Sequence, residues 1–232
     1  MDTAVPAAVP ERRPDGRVPL APERIDLAEV PYAEALERMA EWVRLRREGR
    51  IADRLVLLTH PPVITYGART PAHELPAPGP VPLVEVDRGG QATYHGPGQL
   101  IGYLIANIRE RGPADIVRWM ENGLVDAVAR LGLTAVRRDT PRGAQSLVGV
   151  WTPEPEHRKL ASIGMRIRGG VTSHGFALNV TTDLAPFRQF TACGLPDTAM
   201  TSLEEMAAAL GRPAPEDARV RDAVAGALGA VS

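Results

Sequence analysis

Residues 88–98 read Arg-Gly-Gly-Gln-Ala-Thr-Tyr-His-Gly-Pro-Gly, and the segments on either side of this stretch decide the fold. Glycines at 89, 90, 96 and 98 let backbone N–H groups approach a ligand closely, because no Cβ intervenes and positive φ is open at little cost. Glycine also loses more chain entropy on ordering than any other residue, so this concentration points to a bound ligand that offsets the loss. A hairpin or bulge is the competing reading, since glycine gathers there too. Val84–Val86 leads into the stretch, and Leu100–Ala106 leads out of it with apolar side chains on both faces. The loop is therefore expected to hang between two strands of a covered sheet.

Toward the N-terminus, Leu55–Leu58 is a short continuous apolar run of the kind found in a strand buried on both faces. It runs into Thr59-His60-Pro61-Pro62, where proline ends the ladder and His60 reads as a rigid turn residue. Val63–Gly67 resumes a β composition, and Thr70–Pro82, with five prolines, reads as a surface loop. Residues 31–48 place Ala35, Leu36, Met39 and Val43 on one stripe behind Pro31, which predicts an amphipathic helix after a short apolar piece, Ile25–Val30. Residues 1–20 carry prolines at 6, 10, 14 and 19 and no apolar period, so they are expected to form a disordered arm ahead of a single domain over 21–232.

Toward the C-terminus, Asp115–Leu131 carries Ile116, Val117, Met120, Leu124, Ala127, Val128 and Leu131 at helical spacing, and Gly132 closes the helix. Short β runs follow at Ala135-Val136, Leu147–Trp151, Lys159–Ile167 and Thr172–Val180, with a hairpin signal at Arg168-Gly169-Gly170. Ser202-Leu203-Glu204-Glu205 has capping-box spacing before Met206–Leu210, and Pro215-Glu216-Asp217 opens a last amphipathic helix through Val220, Val224 and Leu228. Hairpins mixed with helices, without strict alternation, give an α+β class with a mixed β-sheet flanked by helices.

The 232 residues include 44% hydrophobic but only 4% aromatic side chains, so the core must be built from Leu, Val, Ile and Ala. A formal net charge of −1 gives no whole-chain field for nucleic acid or an anionic membrane. No apolar run approaches the roughly 20 residues that span a bilayer, and no signal-peptide pattern stands at the N-terminus, so a cytoplasmic location is expected. Cys193 is the single cysteine, which excludes an internal disulfide and leaves either a buried hydrophobe or a reactive thiol. The residues alone leave its partner open, with His95 and His174 as candidates, because thiol with imidazole is the commoner pair.

Four motifs carry a resemblance: Arg88–Gln99, Lys159-Leu-Ala-Ser-Ile-Gly164, Ser173-His-Gly-Phe-Ala-Leu-Asn179 and Ala192-Cys-Gly194, supported by Thr59–Pro62 and Thr201–Leu203. In order and spacing they resemble the octanoyl-(acyl carrier protein):protein N-octanoyltransferases, over roughly residues 25–210. The resemblance implies the catalytic-domain fold of biotin and lipoate protein ligases. It implies transfer of octanoyl from octanoyl-acyl carrier protein to a lysine of a lipoyl domain, in 2-oxoacid dehydrogenase complexes or glycine cleavage H protein, with no cofactor and no metal. It assigns the chemistry to Cys193 and Lys159. Such a pairing is chemically sound: a thioester passed to a thiol conserves its energy, and an amine then attacks downhill to an amide. A free thiol is only a few per cent thiolate at neutral pH, so a cationic neighbour is needed. Lys159 can be that neighbour, and burial of its strand would favour the neutral amine that accepts and returns a proton.

By match to the motifs, Arg88, Gly89, Gly90, Gln91, Ala92, Thr93, Tyr94, His95, Ser162, Ile163, Gly164, Gly175, Phe176 and Ala177 are expected to line the acyl site. Small residues at 161, 164, 175 and 177 would leave room for the chain. Donors to the thioester carbonyl are expected from backbone N–H groups near Gly194 or the Gly89-Gly90 turn. Ala192 departs from the proline that the family often carries before the cysteine. An ATP-dependent ligase of the same fold would need no cysteine at 193. Acidic partners would meet one of two basic clusters, Arg44/Arg46/Arg47/Arg50/Arg54 or Arg137/Arg138/Arg142, the second being favoured for the carrier protein.

Overall fold

The computed structural model describes residues 20–108, 111–196 and 198–231. The expected disordered arm lies outside the described residues except for Leu20, whose side chain is buried in the core. Ten strands and four α-helices follow in the order β1 (Glu23–Glu29), α1 (Tyr32–Arg47), β2 (Arg54–Thr59), β3 (Val63–Gly67), β4 (Leu83–Val86), β5 (Thr93–His95), β6 (Gln99–Ile105), α2 (Pro113–Arg130), β7 (Val136–Arg137), β8 (Gly149–Trp151), β9 (Lys159–Arg168), β10 (Val171–Asn179), α3 (Leu203–Ala208) and α4 (Asp217–Ala227).

Seven strands form one sheet in the order β1-β2-β6-β10-β9-β8-β7, in which β1 and β2 run parallel and every other pair antiparallel. The continuous apolar runs of β2 and β6 have the predicted cause. Leu55, Leu57, Leu100 and Leu104 point to one face, under α2, α3 and α4, while Val56, Leu58, Ile101, Tyr103 and Ile105 point to the other, under α1. A sheet covered on both sides needs apolar residues at every position, which erases period-two alternation. The Gly169-Gly170 turn, with φ of 59° and 78°, closes the β9–β10 hairpin in the left-handed conformation that two-residue turns require. Ser202 caps α3 by accepting a hydrogen bond from the Glu205 N–H at 3.1 Å.

The structure departs from expectation around residues 88–98. Instead of hanging between two strands of one sheet, the stretch joins two sheets and contributes a strand of its own. β3 pairs in parallel with β4 and antiparallel with β5, making a second, three-stranded sheet. Thr93–His95 pair with Val63–Thr65, so the glycines flank a short ladder. Three residues are too few to show a period, which is why the strand is not legible in the sequence. No described helix is long and apolar enough to cross a membrane.

Candidate active site

Cys193 lies in a single turn of 3₁₀ helix, Ala192–Gly194, after a loop from β10, and its backbone is left-handed at φ 57°, ψ 18°. A non-glycine residue held there costs roughly 1–3 kcal/mol and persists only where its surroundings over-determine it. Here the surroundings do so: the Cys193 N–H donates to the Ala92 carbonyl at 2.8 Å, pinning the turn to the glycine-rich stretch, while Ala192 is buried against Ile64 and Tyr94. The bend directs the half-buried thiol toward β9, where the Ser162 hydroxyl lies 3.3 Å from Sγ.

Lys159 opens β9 and is only 2% exposed. Its backbone is clamped, the N–H donating to the Ala199 carbonyl at 2.8 Å and the carbonyl accepting from the Thr201 N–H at 3.0 Å. Its ammonium lies 5.0 Å from the centre of the Trp151 ring, beside Gly149. Burial by itself would raise the Cys193 thiol, but the Lys159 charge, the Ser162 hydrogen bond and the Arg88 charge outweigh it, and the thiol is held below its ordinary value. The two histidines are engaged elsewhere, His95 with Gln99 and Thr65 and His174 with Asp87, while the side chain hydrogen-bonded to the thiol is Ser162.

Behind the thiol a cavity runs between the sheet face and the glycine-rich stretch, with about 630 Å³ of empty space, part of it open to solvent. Its wall combines apolar Ile101, Ile163, Phe176 and Ala177 with a cluster of rings, Tyr32, His95, Tyr103 and His174, and with the Arg88 guanidinium. Arg88 donates to the Thr65 hydroxyl and carbonyl at 2.8 and 2.9 Å and to the Gly89 carbonyl at 3.0 Å. Those acceptors are neutral and no carboxylate pairs with Arg88 among the described residues, so its charge acts on the titratable groups around it. Burial, then His60 and Arg88, push His95 down to about 3, and burial, then Arg88 and Arg166, push His174 down to about 4. Burial lifts Tyr32 to about 12 against the pull of Arg88. The rings are thus polar but uncharged at neutral pH.

Hydrogen bonding also fixes their protons. The Val30 carbonyl must accept from His60 Nδ1–H at 2.7 Å, which leaves Nε2 bare to accept from the Tyr103 hydroxyl at 2.7 Å. Gln99 donates its amide to Tyr94 O and Asn179 Oδ1, so its oxygen accepts from His95 Nδ1–H at 2.8 Å.

A family model, the lipoyl protein ligase A/B catalytic domain, matches residues 31–228. An octanoyltransferase of Frankia casuarinae is 46% identical over 197 residues, covering 84% of this chain and 89% of that protein. One from Mycobacterium tuberculosis is 44% identical over 205 residues, covering 87% of this chain and 83% of that protein. The chain belongs to this octanoyltransferase family. Its fold is that of a solved lipoate-protein ligase A bound with ATP, which superimposes with a TM-score of 0.69 at 17% identity over 91% of this chain and 87% of that one.

Of the family-motif residues expected at the acyl site, Arg88, Gly90, Gln91, Thr93, His95, Ser162, Ile163, Gly164, Gly175, Phe176 and Ala177 line the cavity with Lys159 and Cys193. Gly89, Ala92 and Tyr94 do not. Gly89 donates its N–H to Met165 O at 3.0 Å, Ala92 holds the cysteine turn, and Tyr94 faces the opposite way, edge-on to Phe187 at 5.6 Å between centroids. Alternation along β5 explains the last case, since Thr93 and His95 face the cavity and Tyr94 between them cannot. Ala161 likewise packs in the core under α2 and leaves no room for a ligand. Gly175 is small for a further reason, because a Cβ there would overlap the Gly102 carbonyl of β6.

Tyr32, Ile101, Tyr103, Ser146, Val148 and His174 also line the cavity. In the sequence His174 stands out as a candidate partner for the thiol and as a member of the Ser173–Asn179 motif, not as a residue expected to line the site. The remaining residues come from α1, β6 and the loop before β8, and no motif marks them; only the sheet topology brings them to one place. His60 is fully buried beneath this wall and is far more than a turn residue.

Proposed function

We infer that the chain takes an octanoyl group from octanoyl-acyl carrier protein onto Cys193 as a thioester and passes it to a lysine of a lipoyl domain. The acceptors would be the lipoyl domains of 2-oxoacid dehydrogenase complexes and glycine cleavage H protein. The observation that carries this reading is the junction of a cation-assisted thiol with a cavity whose apolar wall begins at the same residue. The thiolate attacks the donor thioester carbon, the new S–C bond replaces the carrier's, and the Lys159 ammonium gives its proton to the departing carrier thiolate. A neutral lysine amine then attacks the Cys193 thioester, Lys159 recovers a proton from the amine, and the thiolate is restored. No external energy source is needed, because thioester follows thioester and an amide ends the sequence.

Burying about seven methylenes along Ile101, Gly164, Gly175, Phe176 and Ala177 would contribute on the order of 5 kcal/mol, which favours octanoyl over short acyl groups. A mechanism that depends on a free thiol suits the reducing cytoplasm, where we place it. Incubation with octanoyl-carrier protein should add one octanoyl mass to the wild-type protein. Cys193→Ala should show neither that mass nor transfer to a lipoyl domain. Appreciable transfer by Cys193→Ala would refute the covalent route.

A further inference from the structure

Transfer to and from a thioester passes through a tetrahedral oxyanion, and that oxygen needs hydrogen-bond donors fixed in place beforehand. The backbone donors closest in sequence to the nucleophile are already engaged. The Cys193 N–H is given to Ala92 O at 2.8 Å, the Leu195 N–H to Ala192 O at 3.0 Å and the Gly194 N–H to Thr191 O at a longer 3.4 Å. In the glycine turn, the Gly89 N–H is held by Met165 O at 3.0 Å. The positions expected from sequence to supply the hole are therefore largely used by the fold itself.

One side chain beside the sulfur is not. The Gln91 carboxamide packs against Gly194 so closely that a Cβ on Gly194, which sits at φ 67°, would overlap the Gln91 oxygen. That oxygen is buried and has no hydrogen-bond partner among the described residues. A buried amide oxygen left unpaired carries a desolvation penalty with nothing to offset it, so its retention calls for a reason. Gln91 also occupies a particular place. It lines both the acyl cavity and a second, open groove bounded by Arg69, Val117, Val148 and Met165, and these two spaces meet at Cys193. A thioester carbonyl entering from the groove, with its alkyl chain in the cavity, must pass the Gln91 side chain. With the oxygen enclosed against Gly194, the NH₂ group is the end of the amide left to donate.

We propose that the Gln91 side-chain amide donates to the acyl carbonyl oxygen while Cys193 takes up and releases the octanoyl group, serving as an oxyanion-hole donor. This assignment rests on the thioester reading above. It makes Gln91 a catalytic residue and gives Gly194 a second purpose, since no other residue leaves the amide its place.

The test compares two reactions of the same sulfur. Acylation by the N-acetylcysteamine thioester of octanoate develops an oxyanion; alkylation by iodoacetamide occurs at a saturated carbon and develops none. Gln91→Met keeps the side-chain volume and removes the donor. Single-turnover acylation, followed by intact mass, should be about 100-fold slower in Gln91→Met, as for loss of one oxyanion donor, with the alkylation rate and its pH profile unchanged. Gln91→Ala, which cannot crowd Gly194, should behave in the same way. Acylation of both variants at the wild-type rate would overturn the proposal, and so would equal losses in acylation and alkylation, which would assign Gln91 to thiolate formation or packing. A wild-type protein that acquires no octanoyl mass would overturn the thioester reading itself, a result visible before any variant is made.

Discussion

At Cys193, reactivity is set by a contest between burial, which disfavours the thiolate, and the Lys159 charge, the Ser162 hydrogen bond and Arg88, which favour it. The favourable side wins, so alkylation at a given pH should be faster than for an ordinary thiol, rising as pH climbs through the lowered midpoint. Lys159→Met removes the largest favourable contribution while retaining a buried aliphatic stem, so its midpoint for iodoacetamide alkylation should move upward. Lys159→Arg should recover part of the shift but not turnover, because a guanidinium does not release its proton. An unchanged midpoint in Lys159→Met would remove lysine from the pair. The two residues themselves are legible in the sequence through their motifs, but their meeting is not. It depends on the left-handed turn at Cys193 and on a backbone clamp between residue 159 and residues 199 and 201, both made by residues distant in the chain. The buried rings Tyr32 and Tyr103 are invisible for a similar reason: on α1 and β6 they read as ordinary core residues.

Among the elements, β8 bears most directly on the chemistry despite being three residues long. Gly149 sits at φ 138°, which a side chain rarely adopts, and its N–H donates to the buried Glu121 carboxylate of α2 at 3.0 Å. A Cβ at that position would overlap the Ala161 carbonyl and lie 2.9 Å from Lys159 Cε. Gly149→Ala should therefore destabilise the protein by about 2 kcal/mol in urea unfolding and raise the alkylation midpoint of Cys193 as Lys159 is displaced. The comparison is Gly169→Ala in the β9–β10 turn, where φ is 59° and a new Cβ would come no closer than 3.4 Å to the Arg47 side chain. It should lose about 1 kcal/mol with no shift in the midpoint. Long elements such as α2 and β9 are readable because their periods extend over many residues, and β7 and β8 are marked by the short β runs at Ala135-Val136 and Leu147–Trp151 with their bounds shifted, whereas β5, three residues inside the glycine-rich stretch, presents no period to read.

For the whole molecule, a net charge of −1 means that the acidic partners proposed above would be met by local patches, and the structure revises which patches are free. Arg44 pairs with Glu41 and Glu48, Arg46 with Asp53 and Arg54 with Glu23, so much of the first cluster is neutralised by neighbouring carboxylates. In the favoured second cluster, Arg137 lies between Glu121 and Asp139, and Arg138 stacks 4.9 Å over Trp151. Reversing Arg137 would disturb the core carboxylate that supports β8. The better probes are Arg69, at the rim of the groove reaching Cys193, and exposed Arg142, in the loop whose Gln145 and Ser146 line that groove. Arg69→Glu with Arg142→Glu should raise KM for octanoyl-carrier protein several-fold at low salt and flatten its salt dependence, while acylation by the small octanoyl thioester stays at the wild-type rate. Equal losses with both donors would count against docking there. A last consequence concerns the rim of the large sheet. At one side Val231 bridges to Glu23 of β1, with the Arg24 N–H donating to Val231 O at 2.7 Å and the Val231 N–H to Pro22 O at 2.9 Å. At the other side β7 is only two residues long. A long bare strand edge would be a template for fibril-like stacking of one copy on the next, and this sheet offers little of one at either side.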